Sequence, residues 1–170
     1  PTLIESSNDV GGRIRTFINE GYQVDRGFQV LLTAYPKAQK YLDYKALKLQ
    51  KLVSGSRIFV KNRQYTIGNP IRNISLLIPT LFSDIGTVFD KLKIIKLYLN
   101  LRFKSIEKIF LSKEIKTSIY LDKYGFSKKI INHFFKPFFA GIFLETELST
   151  SSRMFEFVFK MFAQGNVAIP

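Results

Sequence analysis

The sequence has no cysteine, no tryptophan and a single histidine, His133. Without thiols there is no disulfide framework, no thiolate zinc site and no cysteine nucleophile. One imidazole excludes a multi-histidine metal site, and a Ser-His-Asp arrangement would have to run through His133. Acid is scarce: 13 Asp and Glu stand against 26 Lys and Arg, a formal charge of +13. Long uncharged apolar runs are also missing. The nearest, Ile74 to Phe82, is interrupted by Pro79 and falls short of the roughly 18–20 residues that span a bilayer.

What is abundant is apolar and aromatic surface. The 170 residues include 17 Phe and 8 Tyr, and 46% are hydrophobic. That excludes a disordered or collagen-like chain and suits about one domain. The basic residues are spread along the chain, so a solvated basic surface is the simplest reading. A pI near 9.9 also admits nucleic acid, an anionic membrane surface or an anionic ligand. No helix-turn-helix, zinc-finger or RNA-recognition pattern is present, so nucleic acid is not an expected partner. Pro1 without a Met, and apolar residues at both ends, suggest a piece of a longer protein, with part of any site lying outside it.

Thr2 to Glu5 reads as a short apolar strand ending in an acid, followed by the turn cluster Ser6-Ser7-Asn8-Asp9. Ile14–Ile18 and Tyr22–Asp25 read as a hairpin through Asn19-Glu20-Gly21. An extended run over Phe28–Leu32 comes next, then a helix opened by Pro36. Short strands at Leu49–Val53, Arg57–Val60 and Gln64–Ile67 follow, the last two joined by Lys61-Asn62-Arg63. After Gly68-Asn69-Pro70 the pattern turns helical.

The helix predicted over Thr87–Phe103 carries two apolar stripes. Val88, Leu92, Ile95, Leu99 and Phe103 form one; Ile94, Leu97, Tyr98 and Leu101 form the other. One side should pack on protein, leaving the other for protein, lipid or an apolar ligand. Ile115–Tyr124 should stop at Gly125, and Ser127 should cap the next helix, which Pro137 bends or ends. In the last helix, Ser151–Gln164, the polar face is Arg153, Glu156, Lys160 and Gln164, with Glu156 and Lys160 at ion-pair spacing. A terminal strand follows.

The strongest chemical signal lies in the first 30 residues. A strand-end carboxylate, Glu5, suits the two hydroxyls of a ribose. Gly11 and Gly12 leave backbone N–H groups free to approach a phosphate. Arg13 adds a planar cationic fork matched to phosphate oxygens. His133 reads as a helix-surface or packing residue, and no side chain stands out as a catalytic acid or base.

Leu3-Ile4-Glu5, Val10-Gly11-Gly12-Arg13, Thr16 and Asp25-x-Gly27 together resemble the opening of the flavin-containing amine oxidase and phytoene desaturase superfamily. There the pattern follows a first βα unit with a Gly-x-Gly-x-x-Gly turn, which this sequence does not contain. Phe135-Lys136-Pro137-Phe138-Phe139-Ala140-Gly141 and Thr150-Ser151-Ser152-Arg153-Met154-Phe155 look like a bacterial subgroup of FAD-dependent oxidoreductases near the desaturases.

The resemblance implies an α/β fold, mixed α+β over this stretch: part of a Rossmann-like FAD/NAD(P)-binding domain with a mostly helical substrate or cap region. Residues 1–68 would belong to the FAD-binding domain, 69–148 to the cap, and 149–170 would return toward the first. Glu5 would bind the adenosine ribose of FAD. Gly11, Gly12 and Arg13, with Arg15 as a weaker candidate, would line the pyrophosphate and ribityl region. Gly27, Phe28 and Gln29 would approach the isoalloxazine. The implied reaction is hydride transfer from a small hydrophobic substrate, an isoprenoid, other lipid or amine, to the flavin. No metal is expected. The implied location is cytoplasmic, with peripheral membrane contact as an option. The alternative is a basic helical module that binds a membrane surface or nucleic acid without catalysis.

Overall fold

The computed structural model describes residues 2–12, 15–26, 30–69 and 73–169. Strands β1 (Thr16–Asn19) and β2 (Tyr22–Asp25) form an exposed hairpin with Asn19 opposite Tyr22. Its two-residue loop places Glu20 at φ 50° and Gly21 at φ 84°. Both central residues in the left-handed region match the twist of paired strands.

The expected strand at Thr2–Glu5 is not formed. Leu3 and Ile4 are 75% and 92% exposed, and no described strand lies beside them to complete a ladder. Apolar alternation makes a strand only where a neighbouring edge takes its hydrogen bonds.

Strand β3 (Leu31–Leu32) and helix α1 (Pro36–Tyr41) follow, then β4 (Gln50–Lys51). The last strand, β7 (Val167–Ile169), runs antiparallel between β3 and β4 and so joins the two ends of the described chain. Gly165 leads into it; a Cβ there would stand 2.4 Å from the Ala34 backbone nitrogen. All strand pairs among the described residues are antiparallel.

Strands β5 (Gly55–Val60) and β6 (Arg63–Gly68) form a second hairpin, with burial alternating along β5 and half-buried residues over Tyr65–Gly68 in β6. Its inner residues Ile58, Val60, Tyr65 and Ile67 pack against the helical core. Gly68 must lack a side chain, since a Cβ there would lie 2.7 Å from the Ser54 backbone oxygen.

The helical part comprises a 3-10 turn (Ile74–Leu76), α2 (Leu77–Phe82), α3 (Val88–Phe103), α4 (Ile106–Leu111) and α5 (Thr117–Tyr124). Then come α6 (Lys128–Ile130), a π-helical stretch (Ile131–Phe135), α7 (Lys136–Phe143) and α8 (Ser152–Gln164). Gly125 ends α5 at φ 84°, and the Ser127 hydroxyl accepts from Ile130 N, as the sequence requires. Pro137 neither ends nor breaks the helix. It sits in the first turn of α7, directly after the wider π turn, where a missing N–H is tolerated.

Asp90 joins two of these elements. Its carboxylate closes a capping box with Thr87 at the start of α3 and accepts from Ser127 N at 2.8 Å and Ser127 Oγ at 2.6 Å. The core beneath is aromatic: Phe126, Phe135, Phe139 and Phe155 are buried together, with Phe139 and Phe155 ring centroids 4.8 Å apart. The two stripes of α3 separate cleanly. Leu97, Tyr98 and Leu101 are buried, whereas Val88, Leu92, Ile95, Leu99 and Phe103 remain exposed.

The polar face of α8 is not a solvated face. Glu156 and Lys160 are 7% and 5% exposed, and they do not serve each other. Glu156 pairs with Lys104 at 2.5 Å. Lys160 Nζ donates to the carbonyls of Leu101 and Arg102 at 3.1 and 2.9 Å, and Gln164 also reaches Arg102 O. These groups satisfy the free carbonyls at the end of α3 and place a cation at its negative pole. Burial pushes the Lys160 ammonium pKa down.

Leu144 closes α7 at φ 56° and is 87% exposed. A left-handed Leu costs about 1–2 kcal/mol, a penalty glycine escapes. Leu144→Gly is therefore expected to raise stability by about 1 kcal/mol. Urea unfolding of the two proteins checks this; an unchanged or lower midpoint would contradict it.

Candidate functional site

Residues 5–10 fold back on themselves, with Arg15 bonded to them. Glu5 Oε1 accepts from Ser7 N at 2.8 Å, Ser7 Oγ donates to Asp9 O at 2.6 Å, and Val10 N donates to Asp9 Oδ1 at 2.8 Å. Arg15, at the entry to β1, donates to Asn8 Oδ1 at 3.2 Å and pairs with Asp9 at 3.3 Å. In this structure Arg15 thus holds the loop in shape. Beyond the hairpin, Arg26 N donates to Arg15 O at 2.8 Å, so the β1–β2 ladder reaches the base of the loop.

Gly11 and Gly12 follow at φ 110° and φ 55°. Two successive left-handed residues demand glycine, because a Cβ would crowd the adjacent carbonyl. A Cβ built on Gly12 would meet nothing within 4 Å, so the space over this turn is open. The Glu5 carboxyl pKa lies below the usual range. The Ser7 backbone N–H is the main cause, helped by the Ser7 hydroxyl and, more weakly, by the charge of Arg15. Glu5 is exposed and stays ionised near neutral pH, as an acceptor for hydroxyls must.

Glu5, Gly11 and Gly12 thus lie in one loop segment, with Arg15 bonded to it. Arg13, Gly27, Phe28 and Gln29 lie outside the described residues. An exposed ionised carboxylate thus precedes a glycine turn with open space above it.

A second grouping was not legible in the sequence. The turn of the β5–β6 hairpin, the α2–α3 connection and the π-helical stretch bound a cleft of about 520 Å³. Lys61, Arg63, Tyr65, Asp84, Lys129 and His133 line it. Asp84 pairs with Lys129, whose hydrogen bond and charge hold its carboxyl pKa below the usual range. These residues come from the β5–β6 hairpin, the α2–α3 connection, α6 and the π-helical stretch, and no spacing in the sequence groups them.

The model of the flavin-containing amine oxidoreductase family matches residues 1–170. The chain belongs to that family. No curated protein and no solved structure matches it. As a flavin-containing amine oxidoreductase it combines an N-terminal glycine loop, antiparallel strand pairs and a helical region with a core rich in Phe.

Proposed function

We propose that this chain is part of an FAD-dependent oxidoreductase that oxidises a small hydrophobic substrate by hydride transfer. The observation that carries the reading is the loop in which an exposed, ionised Glu5 precedes consecutive left-handed glycines; the family membership supports it. Glu5 holds the adenosine ribose, and Gly11 and Gly12 present backbone N–H groups to the diphosphate. Arg13 neutralises the diphosphate, and Gly27, Phe28 and Gln29 lie along the isoalloxazine. When bound, the flavin supplies the hydride acceptor. The protein supplies orientation and a dry surround, and this reading needs no acid or base from the chain.

In this reading residues 1–68 belong to a Rossmann-like FAD-binding domain and 69–148 to the substrate or cap region, with 149–170 returning to the first. The uncovered stripe of α3 (Val88, Leu92, Ile95, Leu99) supports an apolar substrate, an isoprenoid or other lipid in preference to an amine. Exposed Lys96 beside that stripe supports peripheral contact with an anionic membrane surface, and the reading places the protein in the cytoplasm.

The test is the flavin itself. The purified full-length protein is expected to show the visible absorption of bound flavin, released as FAD on denaturation. A folded protein that neither carries nor takes up FAD would refute the reading. Arg13→Ala removes a charge-assisted contact worth about 1.5–3 kcal/mol, so FAD affinity should fall by about tenfold or more. Arg57→Ala, on the exposed side of β5, should leave it unchanged. Equal retention by the two variants would remove Arg13 from the site.

A further inference from the structure

The cleft between the β5–β6 turn, Asp84 and the π-helical stretch is independent of the flavin loop, and its chemistry is different. Lys61, Arg63 and Lys129 line it together with a single carboxylate, Asp84. Three cations less one anion leave a charge of +2 at its walls. Lys129 is already paired with Asp84, whereas no ion pair is found for Lys61 or Arg63 among the described residues. His133 also lines the cleft, with its Nδ1 turned away from solvent and without a hydrogen-bond partner.

The backbone points the same way. His133 lies in the π-helical stretch Ile131–Phe135, a conformation found often at functional sites. The opposite wall turns at Lys61, a non-glycine residue at φ 45°. Tyr65 adds a half-buried phenol between them.

We propose that this cleft binds a phosphate group, as a phosphomonoester, through Arg63, Lys61 and Lys129, with the His133 ring forming part of its lining. A phosphomonoester carries about −1.5 to −2 at neutral pH, which balances the cleft, whereas a carboxylate leaves it half neutralised. The planar guanidinium of Arg63 can take two phosphate oxygens at once.

The test is a titration of the full-length protein at low salt with inorganic phosphate, glycerol 3-phosphate and acetate. Calorimetry is paired with NMR of the His133 imidazole, assigned by the signal lost in His133→Gln. Saturable phosphate binding that shifts the His133 resonances, with acetate at least tenfold weaker, is the expected result. Arg63→Gln and Lys129→Gln should each weaken it about tenfold, and Arg57→Gln less than twofold. Glycerol 3-phosphate compared with vesicles containing phosphatidic acid separates a soluble ester from a lipid headgroup; either one binding more tightly than inorganic phosphate supports the assignment. Phosphate that binds no better than acetate, or that leaves His133 unshifted in the unsubstituted protein, overturns it without reference to any variant's folding.

Discussion

Replacing Asp90 by alanine is expected to destabilise the fold by about 3–4 kcal/mol, the sum of several orphaned donors at about 1–3 kcal/mol each. Asp90 is 1% exposed. Its Oδ2 accepts from Thr87 N, Thr87 Oγ1 and Ser127 Oγ at 2.8, 2.7 and 2.6 Å, and its Oδ1 from Ser127 N at 2.8 Å. Alanine leaves four donors without their acceptor. It also unpins the α5–α6 turn from the start of α3. Because Thr87 is exposed and Ser127 half-buried, water recovers part of the loss, which places the estimate at the lower end of the sum.

The same carboxylate makes stability depend on pH. Burial pushes its pKa up, but the hydrogen bonds from Ser127 and Thr87 outweigh burial and hold it below the usual range. A folded-state pKa below the unfolded one means stability fully present above the unfolded carboxylate range and lost as pH falls through the folded value. Urea unfolding of the wild type and Asp90→Asn should therefore show a large gap at neutral pH that narrows in acid, where both side chains are neutral. A gap independent of pH would contradict this account.

Phe155→Ala is expected to cost about 3–5 kcal/mol, the range for emptying a large aromatic from a core. Phe155 is fully buried. Its ring centroid lies 4.8 Å from that of Phe139, 5.5 Å from Tyr120, 5.7 Å from Phe159 and 6.0 Å from Phe135. One side chain of α8 thus touches α5, the π-helical stretch and α7, so the void cannot close by moving a single neighbour. Phe155→Leu, which keeps much of the volume, should cost about half as much. Chemical denaturation of both variants checks the pair; an alanine cost below about 2 kcal/mol would show that the neighbours collapse into the space.

Features set by one or two adjacent residues were readable in the sequence. Gly125 and Ser127 end and restart helices through local chemistry, and Gly21 turns its hairpin for the same reason. The Gly11-Gly12 turn belongs to this class, since left-handed backbone is a property of glycine itself. Features that need a distant partner were not readable. Glu156 and Lys160 look like a helix-surface pair because periodicity cannot show that α3 and α4 cover them. Thr2–Glu5 has a strand's pattern but no neighbouring edge. Both stripes of α3 were visible in the periodicity, yet only packing on α8 decided which one is buried. The phosphate-type cleft draws on residues from Lys61 to His133, and no local pattern links them.

The placement of β7 has a consequence for how the chain is made. Leu31 pairs with Ala168, a separation of 137 residues along the chain, and Lys51 pairs with the same Ala168. Such distant pairings carry the largest loop-closure entropy and form late. While the nascent polypeptide is still being threaded out, the helices after Asn73 can assemble on contacts close in sequence. The segments around Leu31 and Lys51 must wait for β7, because among the described strands each finds its ladder partner in it. Until then they are two bare edges, the stretch of this polypeptide most open to mispairing or to a chaperone.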